Sequence, residues 1–217
     1  SRGLGDVYKR QRKYAEGLDQ TKIVSVYRNV PVQLAKENKK FFFGKIREGA
    51  RAKDFELAIE WLQDCGLITK VYKVSKPAMP LKAYIDFSSF KIYLLDVGLL
   101  GALSELDAES ILEGNEIFTE FKGALTEQYV LQQIVSDTEY RPYYYSGEKS
   151  TYEVDFLIQK HRKIVPVEVK AEENLRAQSL KAYCGKFKPE EAIRTSMSPY
   201  REQEWMTNLP LYAICNL

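Results

Sequence analysis

The pattern of hydrophobic and polar positions between residues 21 and 104 predicts helices followed by two strands. Apolar side chains recur at helical spacing in the first part, whereas the second part is rich in the branched and aromatic residues that are typical of strands. The predicted elements are helices at 23–34, interrupted at Pro31, and 54–65, capped by Gly66, strands at 67–74 and 91–95, and a closing helix at 96–103. Helices followed by a two-stranded wing favour a winged-helix-like domain over residues 21–104.

A polar segment at residues 105–114 separates this domain from a second pattern, and we interpret it as a linker. Beyond it, helical and strand-like periods alternate. The predicted elements are helices at 116–135 and 174–187 and strands at 141–145, 152–158, 164–170, 191–195 and 209–214. The order αβββαβ plus one strand predicts a mixed α/β (α+β) layer architecture for residues 115–217.

Composition narrows the class of protein. The chain has 217 residues, of which 45% are hydrophobic and 29% charged, and these values are typical of a soluble globular protein. Cys65, Cys184 and Cys215 have no paired spacing, which argues against a disulfide frame and for a reducing, cytoplasmic compartment. No apolar run is long enough to span a bilayer, so we expect no membrane partner. His161 is the only histidine, which leaves little basis for histidine-dependent catalysis.

The strongest candidate chemistry lies on the hairpin formed by STYEVDFLIQ and KIVPVEVK. If the polar turn at residues 160–163 closes it, Asp155 lies directly across from Glu168, and Lys170 projects on the same face. Two opposed carboxylates repel each other unless a positive charge lies between them. A divalent cation and the Lys170 ammonium would both resolve this repulsion, and oxygen-only ligands favour Mg²⁺ or Mn²⁺ over zinc. The alternative is that this charged face is simply exposed to solvent.

Glu127 is the fourth candidate. On a helical wheel it falls among small and apolar residues, so the sequence places it in the buried stripe of the helix at 116–135. A carboxylate on a core face needs a partner or a function. The alternative is that it is a salt-bridge or helix-start residue.

A local excess of positive charge lies between residues 39 and 53. It could neutralise phosphates beside a winged helix, although a solvated helix flank is equally consistent with it. The candidate nucleic-acid-binding residues are Lys40, Lys45, Arg47, Arg51 and Lys53. The formal net charge of the whole chain is only +2, so any electropositive surface must be local.

Several segments resemble one family. GALTEQYVLQQ, EVDFLI and VPVEVKAEENLRAQSLKAY are similar to the C-terminal region of prokaryotic AAA-type ATP-binding proteins. PVQLAKENKKF, GARAKDFELAIEWLQDCGLI and DFSSFKIYLLDVGLLGALS extend the resemblance to the first domain. It implies a PD-(D/E)xK nuclease-like domain with a restriction-endonuclease-like fold at residues 115–217.

The resemblance also implies roles for the site residues. Asp155 and Glu168 would bind Mg²⁺ or Mn²⁺, Glu127 would be a further acidic member, and Lys170 would orient the attacking water and stabilise the phosphate. The sequence departs from the family motif at one place, where Val154 replaces the proline of the nominal PD pair.

The resemblance implies an ATPase partner in the intact protein, yet no GxxxxGK[ST] loop occurs here. We therefore expect a C-terminal fragment whose ATP site lies upstream, preceded by a tail at residues 1–20 whose first eleven residues resemble a non-native end. The leading hypothesis is a DNA-binding, Mg²⁺-dependent nuclease-like module. An inactive nuclease fold that binds DNA or a protein, and a winged-helix regulator whose second domain dimerises, remain as alternatives.

Overall fold

A computed structural model describes residues 19–36, 39–106, 116–147, 151–171 and 177–217, with the side chains of the long helix described from residue 121 onward. The helices are α1 (Gln20–Leu34), α2 (Ala52–Asp64), α3 (Val97–Leu103), α4 (Glu116–Asp137) and α5 (Gln178–Phe187), and short 3-10 turns lie at Phe43–Lys45, Leu81–Tyr84 and Leu211–Asn216. The strands are β1 (Ile68–Val74), β2 (Ile85–Leu94), β3 (Tyr143–Ser146), β4 (Glu153–Lys160), β5 (Lys163–Val169), β6 (Ile193–Ser196), β7 (Arg201–Glu202) and β8 (Thr207–Pro210). The predicted α+β class is confirmed.

The strands form one mixed sheet in the order β2-β1-β3-β4-β5-β6-β8-β7. Pairing is antiparallel between β3 and β4, β4 and β5, and β7 and β8. It is parallel between β1 and β3, β5 and β6, and β6 and β8. Parallel neighbours need a crossover connection, and α5 supplies it between β5 and β6.

The chain divides into two compact units, each built from two separated segments. The first comprises the residues up to Lys70 together with Lys91–Gln128, and the second comprises Val71–Phe90 together with Tyr129–Leu217. Residues 107–114 of the predicted linker and residues 1–18 of the predicted tail lie outside the described residues. The predicted domain boundaries and the winged-helix interpretation stay predictions.

In the first unit, α1 and α2 bury their apolar faces. The sequence predicted an interruption at Pro31, but α1 runs through it to Leu34. A proline inside a helix removes one hydrogen bond and costs roughly 3 kcal/mol. Here Tyr27, Val30 and Pro31 are all buried, so packing of this face outweighs the local penalty.

The end of α2 was predicted correctly. Gly66 follows the helix with a φ of +70°, which a residue without a Cβ adopts most easily. Its N–H donates to the Gln63 carbonyl, and the Leu67 N–H donates to the Leu62 carbonyl. These two bonds form a Schellman motif, which satisfies carbonyls that the helix end leaves open.

The core of the second unit lies on both faces of the hairpin strands. Val154, Phe156 and Leu157 are fully buried, although alternating residues of a strand point to opposite faces. The Tyr145 ring packs against Tyr183 of α5 with the ring centroids 5.9 Å apart. Coverage on both faces makes a charged side chain within these strands costly unless it has a partner.

Two strand predictions needed correction. β2 begins at Ile85, before the predicted start at residue 91, and the predicted last strand at 209–214 ends as a strand at Pro210. Residues Leu211–Asn216 form a 3-10 helix instead. A short apolar run carries no period that separates strand from helix, which explains the second error. None of the described helices combines the length and the apolar composition that crossing a bilayer requires.

Candidate functional site

The β4–β5 hairpin brings Asp155 and Glu168 together on one face. The register pairs Phe156 with Val167 and Lys160 with Lys163, so the next pair along the ladder is Asp155 with Glu168. The turn itself is shorter than predicted, because Lys160 and Lys163 already pair as strand residues. The predicted opposition of the two carboxylates is nonetheless the one that this register produces.

Hydrogen bonds from main-chain N–H groups hold the two strand ends in place. The Asp155 carboxylate accepts a hydrogen bond from the Val169 N–H through Oδ2, at 2.8 Å. On the other side of β5, the Lys170 N–H donates to the Thr195 carbonyl of β6 at 2.9 Å. The end of β5 is therefore tied to both neighbouring strands, and this fixes where Glu168 and Lys170 project.

Glu168 and Lys170 form an ion pair on this face. Glu168 is only 3% exposed, whereas the Lys170 side chain is 28% exposed. Lys170 Nζ lies 2.7 Å from Glu168 Oε1. The lysine thus neutralises a buried carboxylate while its own side chain still reaches solvent.

The donor set of this face suits a hard divalent cation. Asp155 and Glu168 offer only carboxylate oxygens, which Mg²⁺ and Mn²⁺ prefer. Among the described residues, no group of three or more His, Cys, Asp or Glu side chains is close enough to hold a metal ion. Mg²⁺ commonly takes one or two carboxylates from a protein and completes its shell with water and substrate oxygens. Two carboxylates are therefore a sufficient protein contribution for such an ion.

Glu127 lies in the first unit, and its prediction as a buried residue is confirmed at 2% exposure. Three side chains contact its carboxylate. Lys39 Nζ and the Tyr93 hydroxyl both donate to it, and Lys91 Nζ lies 3.3 Å from Oε1. Lys91 and Tyr93 are themselves fully buried, so the cluster is a group of polar side chains within the apolar core of this unit.

The charge state of Glu127 follows from these contacts. Burial alone raises the pKa of a carboxyl group, because it disfavours the charged form. The positive charges of Lys39 and Lys91, with hydrogen bonds from Lys39 and Tyr93, outweigh that effect and lower the pKa of Glu127 to about 2. The carboxylate is therefore ionised at neutral pH, as the counter-charge of two lysines.

The predicted basic segment is exposed along most of its length. Lys45, Arg47 and Lys53 are exposed, and Lys40 lies over the Phe42 ring with its Nζ 5.9 Å from the ring centroid. Arg51 forms part of the N-terminal cap of α2, and its Nε lies 3.5 Å from Asp54 Oδ2. This arrangement leaves positive charge at the surface, and nucleic-acid binding there stays a prediction.

Two family models match the chain. Residues 122–214 match DUF4143, a domain of unknown function that is found in AAA-ATPase-associated C-terminal regions. Residues 4–110 match DUF8612, a second domain of unknown function. No curated protein matches the chain, and no solved structure does.

The DUF4143 match contains all four predicted site residues, Glu127, Asp155, Glu168 and Lys170. The predicted resemblance to AAA-ATPase-associated C-terminal regions is confirmed by this domain match, whereas the nuclease-like and winged-helix interpretations stay predictions. The same match contains three polar residues of β6, β7 and β8 that the sequence did not single out, namely Arg194, Arg201 and Asn208. The strands that hold Arg194 and Asn208 have the sequences IRTS and TNLP, which contain other polar residues, so the sequence carries no clear signal for either residue.

Proposed function

We propose that the second unit is a metal-dependent, nuclease-like module that binds nucleic acid and hydrolyses a phosphodiester bond. The observation that carries the proposal is the single face shared by Asp155, Glu168 and Lys170. The carboxylates lie opposite each other across the β4–β5 hairpin, and the lysine contacts one of them at 2.7 Å. Two acids and a lysine supply what such a hydrolysis needs, namely ligands for a hard cation and a mobile positive charge.

Each residue has a distinct part in the reaction. Asp155 and Glu168 would hold Mg²⁺ or Mn²⁺, and the Val169 N–H would keep the Asp155 carboxylate oriented. A bound divalent ion lowers the pKa of water and offsets phosphate charge. Lys170 would orient the attacking water and stabilise the negative charge that develops on the phosphate. The water oxygen bonds to phosphorus as the P–O ester bond breaks, and the leaving oxygen takes up a proton.

Glu127 has a different part in this proposal. Its carboxylate is the counter-charge of Lys39 and Lys91, so we assign it to the stability of the first unit. The winged-helix interpretation and the exposed cations at residues 40–53 support a role for the first unit in contacting DNA. The AAA-type ATPase would be a separate part of the intact protein and would supply the ATP site.

The three cysteines support a reducing, cytoplasmic setting for this function. Cys65, Cys184 and Cys215 are all free thiols. Burial raises the pKa of Cys184 to about 11, which keeps it protonated and unreactive at neutral pH.

The test is Mn²⁺ binding and plasmid cleavage by the wild-type chain and by Asp155→Asn. Asparagine can still accept the hydrogen bond from the Val169 N–H, so the hairpin should persist while one metal ligand loses its charge. We expect the Mn²⁺ affinity to fall by about tenfold or more, because even the loss of a residue that only orients a metal ligand costs roughly 10–100-fold. Cleavage should fall with it. Isothermal titration and a plasmid-nicking assay measure the two effects.

The matched control is Asp137→Asn, which changes an exposed acid at the end of α4 in the same unit. It should bind Mn²⁺ and nick plasmid as the wild type does. Equal Mn²⁺ affinity in wild type and Asp155→Asn would contradict the assignment of Asp155 as a metal ligand.

A second candidate function is a binding module without cleavage. The observation that favours it is that both acids already have partners within the chain, Glu168 in Lys170 and Asp155 in the Val169 N–H. Each carboxylate therefore has at least one partner within the chain even without an ion. Salt-dependent DNA binding with no cleavage in Mg²⁺ or Mn²⁺, unaffected by Lys170→Ala, would favour this function over hydrolysis.

A further inference from the structure

The candidate site is one end of a longer row of polar residues that crosses five strands. The ladders pair Glu168 with Arg194, Arg194 with Asn208, and Asn208 with Arg201. Paired residues of neighbouring strands project from the same face of a sheet. Asp155 extends the row at the other end, because it is the cross-strand neighbour of Glu168. The face therefore runs from two acids at β4 and β5 to two arginines at β6 and β7.

Asn208 fixes the arginine end of the row. Its Oδ1 accepts hydrogen bonds from Arg194 Nε at 2.9 Å and from the Ser196 hydroxyl at 2.8 Å. Its Nδ2 donates to the carbonyls of Ser198 and Pro199, at 3.1 and 2.9 Å. One buried amide thus holds both the guanidinium and the loop that faces it. A site held in this way needs little rearrangement to bind a ligand.

A cavity lies beside Asn208 and Arg194. Its volume is about 480 Å³, within the usual range for ligand sites. Arg194, Arg201 and Asn208 line it, together with Tyr200 and Gln203. Arg194 is 3% exposed, so its guanidinium is a built part of the wall, whereas Arg201 is exposed at the rim.

The electrostatics of the cavity favour an anion. Burial lowers the pKa of Arg194, and the neighbouring positive charge of Arg201 lowers it further. Arginine nevertheless stays charged in proteins, so two guanidinium groups share one concavity. A bound anion would interact favourably with both groups. Guanidinium groups also form bidentate hydrogen bonds with two oxygens of a phosphate.

The wall also has an aromatic face. Tyr200 is 56% exposed, and its hydroxyl donates to Glu202, which leaves the ring at the cavity. An aromatic ring beside arginines is the combination that proteins use to bind single-stranded nucleic acid, with the phosphate on the cations and a base on the ring.

We propose that this cavity is a phosphate-binding subsite that holds the nucleic-acid chain next to the carboxylate face. This inference rests on the function proposed above for the identity of the ligand, but the phosphate chemistry itself belongs to Arg194, Arg201 and Asn208. The row places the subsite on the β-strands next to Glu168. A nucleic-acid chain that binds there is therefore directed toward Asp155 and Glu168. The same groups could also bind free phosphate, and the experiment distinguishes free phosphate from the phosphates of a nucleic acid.

The experiment measures binding of a fluorescent single-stranded oligonucleotide by anisotropy, with the full chain and with EDTA present. Binding is then independent of metal and of cleavage. Arg201→Gln should weaken it by about tenfold and reduce the salt slope of the binding constant by about 1, because one phosphate contact is lost. Arg201 is exposed, so the variant should keep the fold. Arg201→Lys keeps the charge and should recover part of the affinity.

The matched control is Arg162→Gln. Arg162 is an exposed arginine of the same unit, in the hairpin turn, and lies about 20 Å along β5 from Glu168 at the usual rise per strand residue. It should bind the oligonucleotide as the wild type does. If Arg201→Gln and Arg162→Gln have the same affinity as the wild type, the cavity is not a nucleic-acid subsite.

Inorganic phosphate is the second arm. Millimolar phosphate should compete with the oligonucleotide in wild type and lose that effect in Arg201→Gln. If phosphate raises the melting temperature of the chain in an Arg201-dependent way but oligonucleotide binding ignores Arg201, the anion site stands and its nucleic-acid ligand is overturned.

The two proposals can fail separately. Cleavage with no effect of Arg201→Gln contradicts only the subsite. Arg201-dependent binding in EDTA, with no Mn²⁺ affinity and no cleavage, contradicts only the hydrolytic function.

Discussion

Replacing Glu127 with leucine is expected to lower the free energy of unfolding by about 3–5 kcal/mol, the range for removing one partner of a buried ion pair. The substitution leaves Lys91, which is 0% exposed, without its counter-charge, and Lys39 loses the same partner. Urea denaturation measures the change. Trp61 lies in the first unit and Trp205 in the second, so a Trp205→Phe background lets fluorescence report on the first unit.

Two further variants separate the ion cluster from general packing. Glu60→Leu changes an exposed glutamate of α2 and should alter the free energy of unfolding by no more than about 0.5 kcal/mol. The double variant Glu127→Leu with Lys91→Met removes both buried charges and should recover much of the loss. If Glu127→Leu unfolds at the same urea concentration as Glu60→Leu, the cluster contributes no stability.

The pH dependence of unfolding provides an independent check. Burial raises the pKa of Glu127, but the lysine charges and the hydrogen bonds lower it, from an ordinary 4.5 to about 2. A carboxyl group with a lowered pKa stabilises the fold above its unfolded pKa and loses that contribution as the pH falls through the folded value. The wild type should therefore lose roughly 3 kcal/mol between about pH 4.5 and 2. Glu127→Gln should lack this component.

Replacing Lys170 with methionine is expected to reduce plasmid cleavage by about 10²–10³-fold, the effect of removing one group that stabilises transition-state charge. Mn²⁺ affinity should stay the same or rise. Lys170 Nζ lies 2.7 Å from Glu168 Oε1, so its removal frees a carboxylate oxygen for the ion. Methionine keeps the length of the side chain and removes only the charge. Initial cleavage rates in saturating Mn²⁺ measure the first effect, and isothermal titration measures the second.

Lys181→Met is the matched control, because it removes an exposed lysine of α5 in the same unit. It should cleave at the wild-type rate. A loss of Mn²⁺ affinity in Lys170→Met would show that the lysine supports the metal ligands rather than the substrate. Unchanged cleavage would remove it from the mechanism altogether.

The geometry of the hairpin was predictable because all its determinants are local. β4 and β5 are consecutive, the turn is short, and strict alternation puts Asp155, Glu168 and Lys170 on one face as soon as the strands pair. The arginine end of the row was not predictable. β6 pairs with β5 through a parallel crossover, and nothing in the local sequence sets that register, so the alignment of Glu168 with Arg194 appears only in the fold.

Glu127 shows the same division between local and distant information. The helical wheel placed it in the buried stripe, and it is buried. Its partners are 88 and 36 residues away in the sequence, at Lys39 and Lys91. A single sequence gives no means of pairing charges over such separations. It therefore predicts that a buried carboxylate needs a partner, but not which residue provides it.

The alternation of segments between the two units has a consequence for synthesis of the chain. β1 contributes Lys73 to a pairing with Tyr144 of β3, so one strand leaves the ribosome about 70 residues before its neighbour. At roughly 5–20 residues per second, it waits about 4–14 seconds for that partner. No single cut in the chain separates the two units, because residues 71–90 of the second unit lie between the two segments of the first. Excising either unit as an independent domain therefore requires rejoining the chain rather than shortening it.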